Sequence, residues 1–210
     1  MSDRELTAIA QRTKEVKLRR GEILLLAGDT ARGLWVIASG AVRAYRVGSD
    51  GREQVIHVER ASATVGELPL FDDGAYPSNV VAEEASMLLF VTRHDFHRLL
   101  ADHPPIAMAA LKVLATRLRN CAGLVEALSL HDVDRRLARL LLTEAQGQAG
   151  DLVELDLPLT HQQIASRIGS VREVVSRAFG RLSQAGLVRA DGKRIIIPSR
   201  RELSNYAGSG

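Results

Sequence analysis

Arg172, Glu173, Ser176 and Arg177 fall within one six-residue span of the stretch GSVREVVSRAFGRL, Gly169–Leu182. At about 100° per residue of an α-helix, these four share one side. Val171, Val174, Val175, Ala178 and Leu182 form an apolar stripe on the other. Phe179 lies at its edge, and Arg181 borders the polar side. An amphipathic helix commonly sets such a solvated face opposite a packed one. Glu173 and Arg177 at i, i+4 also stabilise a helix by roughly 0.2–0.5 kcal/mol. The residue types permit more. Arginine bonds bidentately to guanine O6 and N7, and a carboxylate accepts from cytosine N4.

The neighbouring residues decide how that face is presented. Thr160 reads as an N-cap, with Gln163 at N3 completing a capping box. Ile164, Ala165 and Ile168 give a short helix its apolar face. Gly169 then supplies a turn in which positive φ is cheapest. The order is a helix-turn-helix, whose second helix enters the DNA major groove. GLVRADGKRIIIP reads as a hairpin with Asp191-Gly192 at its turn, which makes the unit winged. From Pro158 onward nine Arg and Lys face three acids, a balance of +6 against a whole-chain charge of +3. A basic C-terminal module on an acidic body points to double-stranded DNA.

Before this module the punctuation changes twice. From about Gly21 to Val91, turn signals (AGD at 27–29, SGA at 39–41, GSDG at 48–51, DDG at 72–74) separate short β-prone runs such as LWVIA and QVIHV. That pattern predicts a sandwich, roll or barrel. TRHDFHRLLADHPP is helical up to Pro104-Pro105. From Ile106 to Leu130, Leu111, Leu118 and Val125 recur every seven residues, as do Leu114, Cys121 and Leu128 offset by three. This is an a/d seam on a helix of about 37 Å, and it predicts a parallel homodimer. A bend near Ser129–Asp132, a second helix, and a loop and strand in GQAGDLVELDL follow. The terminal AGSG reads as disordered.

Composition narrows the function classes. Apolar residues make up 46% and charged residues 25% of the 210, as in globular domains. No apolar run is long enough to span a membrane, and the N-terminus lacks a signal-peptide core, so a cytoplasmic protein is expected. One cysteine allows no intrachain disulfide and no four-cysteine metal or iron–sulfur site. Nucleophile-elbow, dinucleotide and Walker motifs are absent, so no enzyme is expected. His94 and His97 at i, i+3 lack a carboxylate cluster, and no metal site is assigned.

These motifs resemble the family of the cyclic-AMP receptor protein and the fumarate–nitrate reduction regulator, over nearly the whole chain. GELPLFDDG, Gly66–Gly74, resembles its phosphate-binding cassette, the heptad helix its dimerisation helix, and LTHQQIASRIGSVREVVSRAFGRL its DNA-binding motif. The resemblance implies an α+β chain. Its parts are an N-terminal β-roll (a cyclic-nucleotide-binding-like jelly roll, 1–104), a long dimerisation helix (105–130) and a C-terminal winged helix-turn-helix (131–210). It implies base reading of TGA-containing half-sites by Arg172, Glu173, Ser176 and Arg177. Backbone contacts fall to Thr160, His161, Gln162 and Lys193, and RNA polymerase becomes a partner.

The effector pocket departs from the family pattern. Gly66, Glu67 and Leu68 remain, with Ser78, Cys121 and Ala122 as further pocket candidates. In members that bind a cyclic nucleotide, an arginine pairs with the phosphate and the glutamate with the ribose 2′-OH. Here Pro77 stands at the arginine position, and Cys121 and Ala122 replace the hydroxyls that contact the base. Losing a charge-assisted phosphate contact weakens cyclic-AMP binding. Cyclic nucleotide, haem held by His57, and redox chemistry at Cys121 stay open as sensing modes. A ligand-binding module whose output is not DNA binding is the alternative function.

Overall fold

The computed structural model describes residues 7, 9–191 and 194–208. Gly192, Lys193 and the last two residues of the AGSG tail lie outside them. The chain divides into two compact units, Met1–Ala122 and Gly123–Gly210.

The first unit holds eight strands: β1 (Thr13–Leu18), β2 (Ile23–Leu25), β3 (Gly33–Ser39), β4 (Ala41–Val47), β5 (Glu53–Arg60), β6 (Thr64–Val65), β7 (Asn79–Ala82) and β8 (Ser86–Thr92). They form two antiparallel sheets, ordered β1-β8-β3-β6 and β2-β7-β4-β5. One core draws on both. Ile37, Val65 and Leu88 come from the first sheet and Leu25, Val42 and Val80 from the second. Each such fully buried aliphatic side chain contributes about 1.5–3 kcal/mol. This is the expected β-roll. A bulge after the Ala44–His57 pair leaves Ile56 without a partner and sets Tyr45 opposite Val55.

Among the described residues, three helices follow β6 in this unit or leave it. α1 (Pro69–Asp72) is one turn inside GELPLFDDG, where the sequence suggested only a strand turn. α2 (Arg93–Asp102) starts at Thr92, whose side chain caps the Asp95 amide. α3 (Pro104–Leu130) is 27 residues long, and Ile106 is its one fully buried side chain. Pro104-Pro105 thus both closes α2 and opens α3, as suits proline in a first turn.

The second unit contains α4 (Val133–Glu144), β9 (Val153–Asp156), α5 (His161–Ile168), α6 (Arg172–Gln184), β10 (Arg189–Asp191), β11 (Arg194–Ile197) and α7 (Arg200–Tyr206). The predicted bend falls at His131–Asp132, and Asp132 caps α4 through the Arg135 amide. The sheet is ordered β10-β11-β9. Asp191 is the last residue of β10 and pairs with Arg194. Its turn-forming residue type notwithstanding, Asp191 is thus held in the ladder rather than in the turn. Leu137, Leu141, Ile164, Val175, Ala178, Leu182 and Ile197 share one core.

Candidate functional site

In the second unit the expected capping box is present in both directions. Gln163 N–H donates to Thr160 Oγ1 at 3.2 Å, and Thr160 N–H donates to Gln163 Oε1 at 2.9 Å. Gly169 ends α5 at φ 64°, a left-handed conformation that glycine adopts without Cβ strain. Ala165, fully buried, sits in the shared core with Val175 and Ala178 of α6. Small residues there let the helices approach closely.

That packing fixes which face of α6 is left over. Val175, Ala178, Phe179 and Leu182 are buried, and Arg172, Glu173, Ser176 and Arg177 are all exposed. The four line one shallow groove together with His161. The His161 imidazole stacks on the Phe179 ring, with centroids 5.2 Å apart and planes 15° from parallel. Thr160 and Gln162 are exposed at the start of α5. Lys193 lies outside the described residues.

Two positioning contacts went unread in the sequence. Arg181 does not join the polar face; its Nε and Nη2 bond Asp134 of α4 bidentately, each at 2.5 Å. This hydrogen bond raises the Arg181 pKa above its ordinary value. Arg136 of α4 donates to the carbonyls of Ile168 and Gly169, the latter at 3.0 Å, and so caps α5 where the turn begins. Burial pushes the Arg136 pKa down, against the pull of Asp132. Both arginines tie α4 to the helix pair.

In the first unit a cavity of about 520 Å³ opens against α3. Gly66, Leu68, Ser78 and Cys121, four of the six pocket candidates, line it. Glu67 and Ala122 are not among its lining residues. Glu67 is 3% exposed and bonded to Arg117 of α3. Ala122 is exposed. Arg117 also reaches Glu59 at 3.4 Å and the Thr64 carbonyl. His57 Nδ1 stands 3.3 Å from the same Glu59. Burial pushes the Glu59 carboxyl up, but His57 and Arg117 together hold it below the ordinary range. Burial lowers the Arg117 pKa while Glu59 opposes it. The sequence singled out His57 only as a haem candidate, and it gave no sign of Arg117 or Glu59.

The seam residues divide by environment. Leu111, Leu118 and Val125 are 52%, 73% and 64% exposed in the single chain. Leu128 and Cys121 are exposed as well. Leu114 is half-buried, and with Leu118 and Cys121 it also lines the cavity. Among the described residues no helix is long and apolar enough to cross a membrane. No group of three or more His, Cys, Asp and Glu among them could hold a metal ion.

Comparison with known proteins agrees with this division of labour. Residues 15–103 match the Cyclic nucleotide-binding domain family and residues 135–206 the Crp-like helix-turn-helix domain. The chain is 32% identical over 209 residues to the CRP-like cAMP-activated global transcriptional regulator of Mycobacterium tuberculosis, covering 97% of this chain and 93% of that protein. It is 27% identical over 207 residues to the Fumarate and nitrate reduction regulatory protein of Escherichia coli, covering 97% of this chain and 82% of that one. In fold it is similar to the c-di-GMP responsive global regulator CLP of Xanthomonas campestris, with a TM-score of 0.83 at 21% identity over 94% of this chain and all of the other. The two-part architecture therefore defines a DNA-binding transcription regulator with a cyclic-nucleotide-binding-type domain. The chain belongs to the CRP/FNR family of transcription regulators.

Proposed function

We propose that this chain works in the cytoplasm as a homodimeric, sequence-specific regulator. It binds palindromic DNA whose TGA-containing half-sites lie about one helical turn apart. The observation that carries the reading is the face of α6. Four side chains able to read base edges are exposed together and line one groove, while Val175, Ala178, Phe179 and Leu182 on the opposite side are committed to the core. Arg172, Glu173, Ser176 and Arg177 read bases. Thr160, His161, Gln162 and Lys193 hold the backbone. The exposed Leu111, Leu118 and Val125 support the dimer, because their heptad spacing fits a second copy of the same helix. Twofold symmetry in the protein then requires it in the site. RNA polymerase is the further partner that the family resemblance implies.

The β-roll cavity is the effector site, and cyclic AMP is a poor fit to it. Pro77 offers no charge to a phosphate, and Glu67 is engaged by Arg117. A mobility-shift titration of the purified chain tests the whole reading. Tight binding is expected on a palindromic TGA duplex and weak binding on an isolated half-site, with little change on adding cyclic AMP. Equal binding to both duplexes would contradict the dimer, and a large gain with cyclic AMP would contradict the effector statement.

A further inference from the structure

Two arginines line the β-roll cavity, and they are in different electrostatic states. Arg117 is neutralised: Glu67, Glu59 and the Thr64 carbonyl take its Nη1 and Nη2, and only its buried Nε is left without a partner. Arg46 is not. It lies two residues beyond Ala44 on β4, so the pleat turns both side chains to one face, and both line the cavity. Its Nη1 donates to the Pro77 carbonyl, which holds the guanidinium beside the segment where the family pattern has its phosphate-binding arginine. Among the described residues no carboxylate pairs with Arg46. A guanidinium has five N–H donors, so most of its capacity remains unspent.

We infer that Arg46 is the anion-binding group of this cavity, and that its ligand is a mostly apolar organic anion whose charged head rests on Arg46 and the Ser78 hydroxyl. The inference rests on reading the cavity as the effector site. The charge pattern favours one place for the anionic head. Near Glu59 and Glu67 it would meet two carboxylates with their shared cation already engaged, and like charges disfavour each other there. At Arg46 it gains charge-assisted hydrogen bonds. Leu25, Val80 and Leu114 supply apolar wall, which suits an alkyl or aryl body better than a ribose. The volume of about 520 Å³ lies in the usual range for small-molecule sites.

Trp35 reports on the cavity without a label. It is the sole tryptophan, and its ring lies 6.1 Å from Tyr76, which lines the space. The full chain is titrated with octanoate, octan-1-ol and cyclic AMP while Trp35 emission is followed. Octanoate should bind about tenfold or more tighter than octan-1-ol, the worth of one charge-assisted contact, and tighter than cyclic AMP. Arg46→Gln should erase the preference for octanoate and leave octan-1-ol affinity unchanged. Arg52→Gln, which removes an exposed cation paired with Asp50, should change neither. The inference is overturned if octan-1-ol binds as well as octanoate, if octanoate survives Arg46→Gln, if cyclic AMP binds tightest, or if none of the three binds. Operator binding by the same preparations separates the two readings. If it persists while the ligand results fail, only the inference falls.

Discussion

Arg177 and Glu173 stand one helical turn apart on the exposed side of α6, and the proposed function gives each a distinct task at a base edge. Arg177→Ala should cost about 1–3 kcal/mol at the specific site and relax preference at one guanine. Glu173→Ala should relax the neighbouring position, where the acid selects a base with an amino donor. Sites selected by each variant check both expectations. Arg181 makes a useful contrast, because the sequence places it beside the same face. Its bidentate bond to the buried Asp134 gives it another role. Arg181→Ala should leave the selected motif intact and lower the melting temperature of the second unit, since an unpaired buried carboxylate remains. A changed motif with unchanged stability would return Arg181 to the reading face. Its true role was illegible in the sequence because its partner lies 47 positions away. Nothing local marks such a pair. The shared exposed face of Arg172, Glu173, Ser176 and Arg177 was legible because one helix displays them all.

At the scale of elements, the helix-turn-helix is legible because its signals are short-range. A cap residue and its partner are three apart, the turn glycine follows directly, and the apolar stripe repeats at helical period. Thr160→Ala removes the Oγ1 acceptor of the Gln163 amide, leaving only the backbone half of the capping box, and should destabilise the second unit by about 0.5–2 kcal/mol, measured by denaturant unfolding. An unchanged midpoint would mean that the packing of α5 alone holds its entry. The β-roll is less legible in detail. Its strands follow from turn residues and alternation. The one-turn α1 and the bulge beside Ala44 come from tertiary closure of the two sheets. The cavity is the least legible element. Arg117 meets Glu59 across 58 positions, and Arg46 meets Pro77 across 31. The family motif therefore directs attention to Glu67 and Pro77, while unmarked residues on β4, β5 and α3 set the charge.

For the whole molecule, α3 carries the proposed dimer. It exposes large apolar side chains along one heptad stripe and has a single buried residue, a face that suits a second copy of the same helix. Leu118→Glu would place two carboxylates against each other in the apolar seam. It should weaken dimerisation roughly 100-fold or more and carry tight operator binding away with it. Sedimentation showing an intact dimer in this variant would refute the seam. Cys121 occupies a d position of the same stripe and also lines the cavity, so the proposed seam and the proposed effector site share a boundary on one helix. The central claim is that a twofold-symmetric dimer reads DNA through α6. Selection of binding sites from random duplex DNA by the purified full-length chain tests it most directly. The account predicts an enriched palindrome with TGA-containing half-sites about one turn apart. A selected pool with no motif, or with one unrepeated half-site, would contradict it.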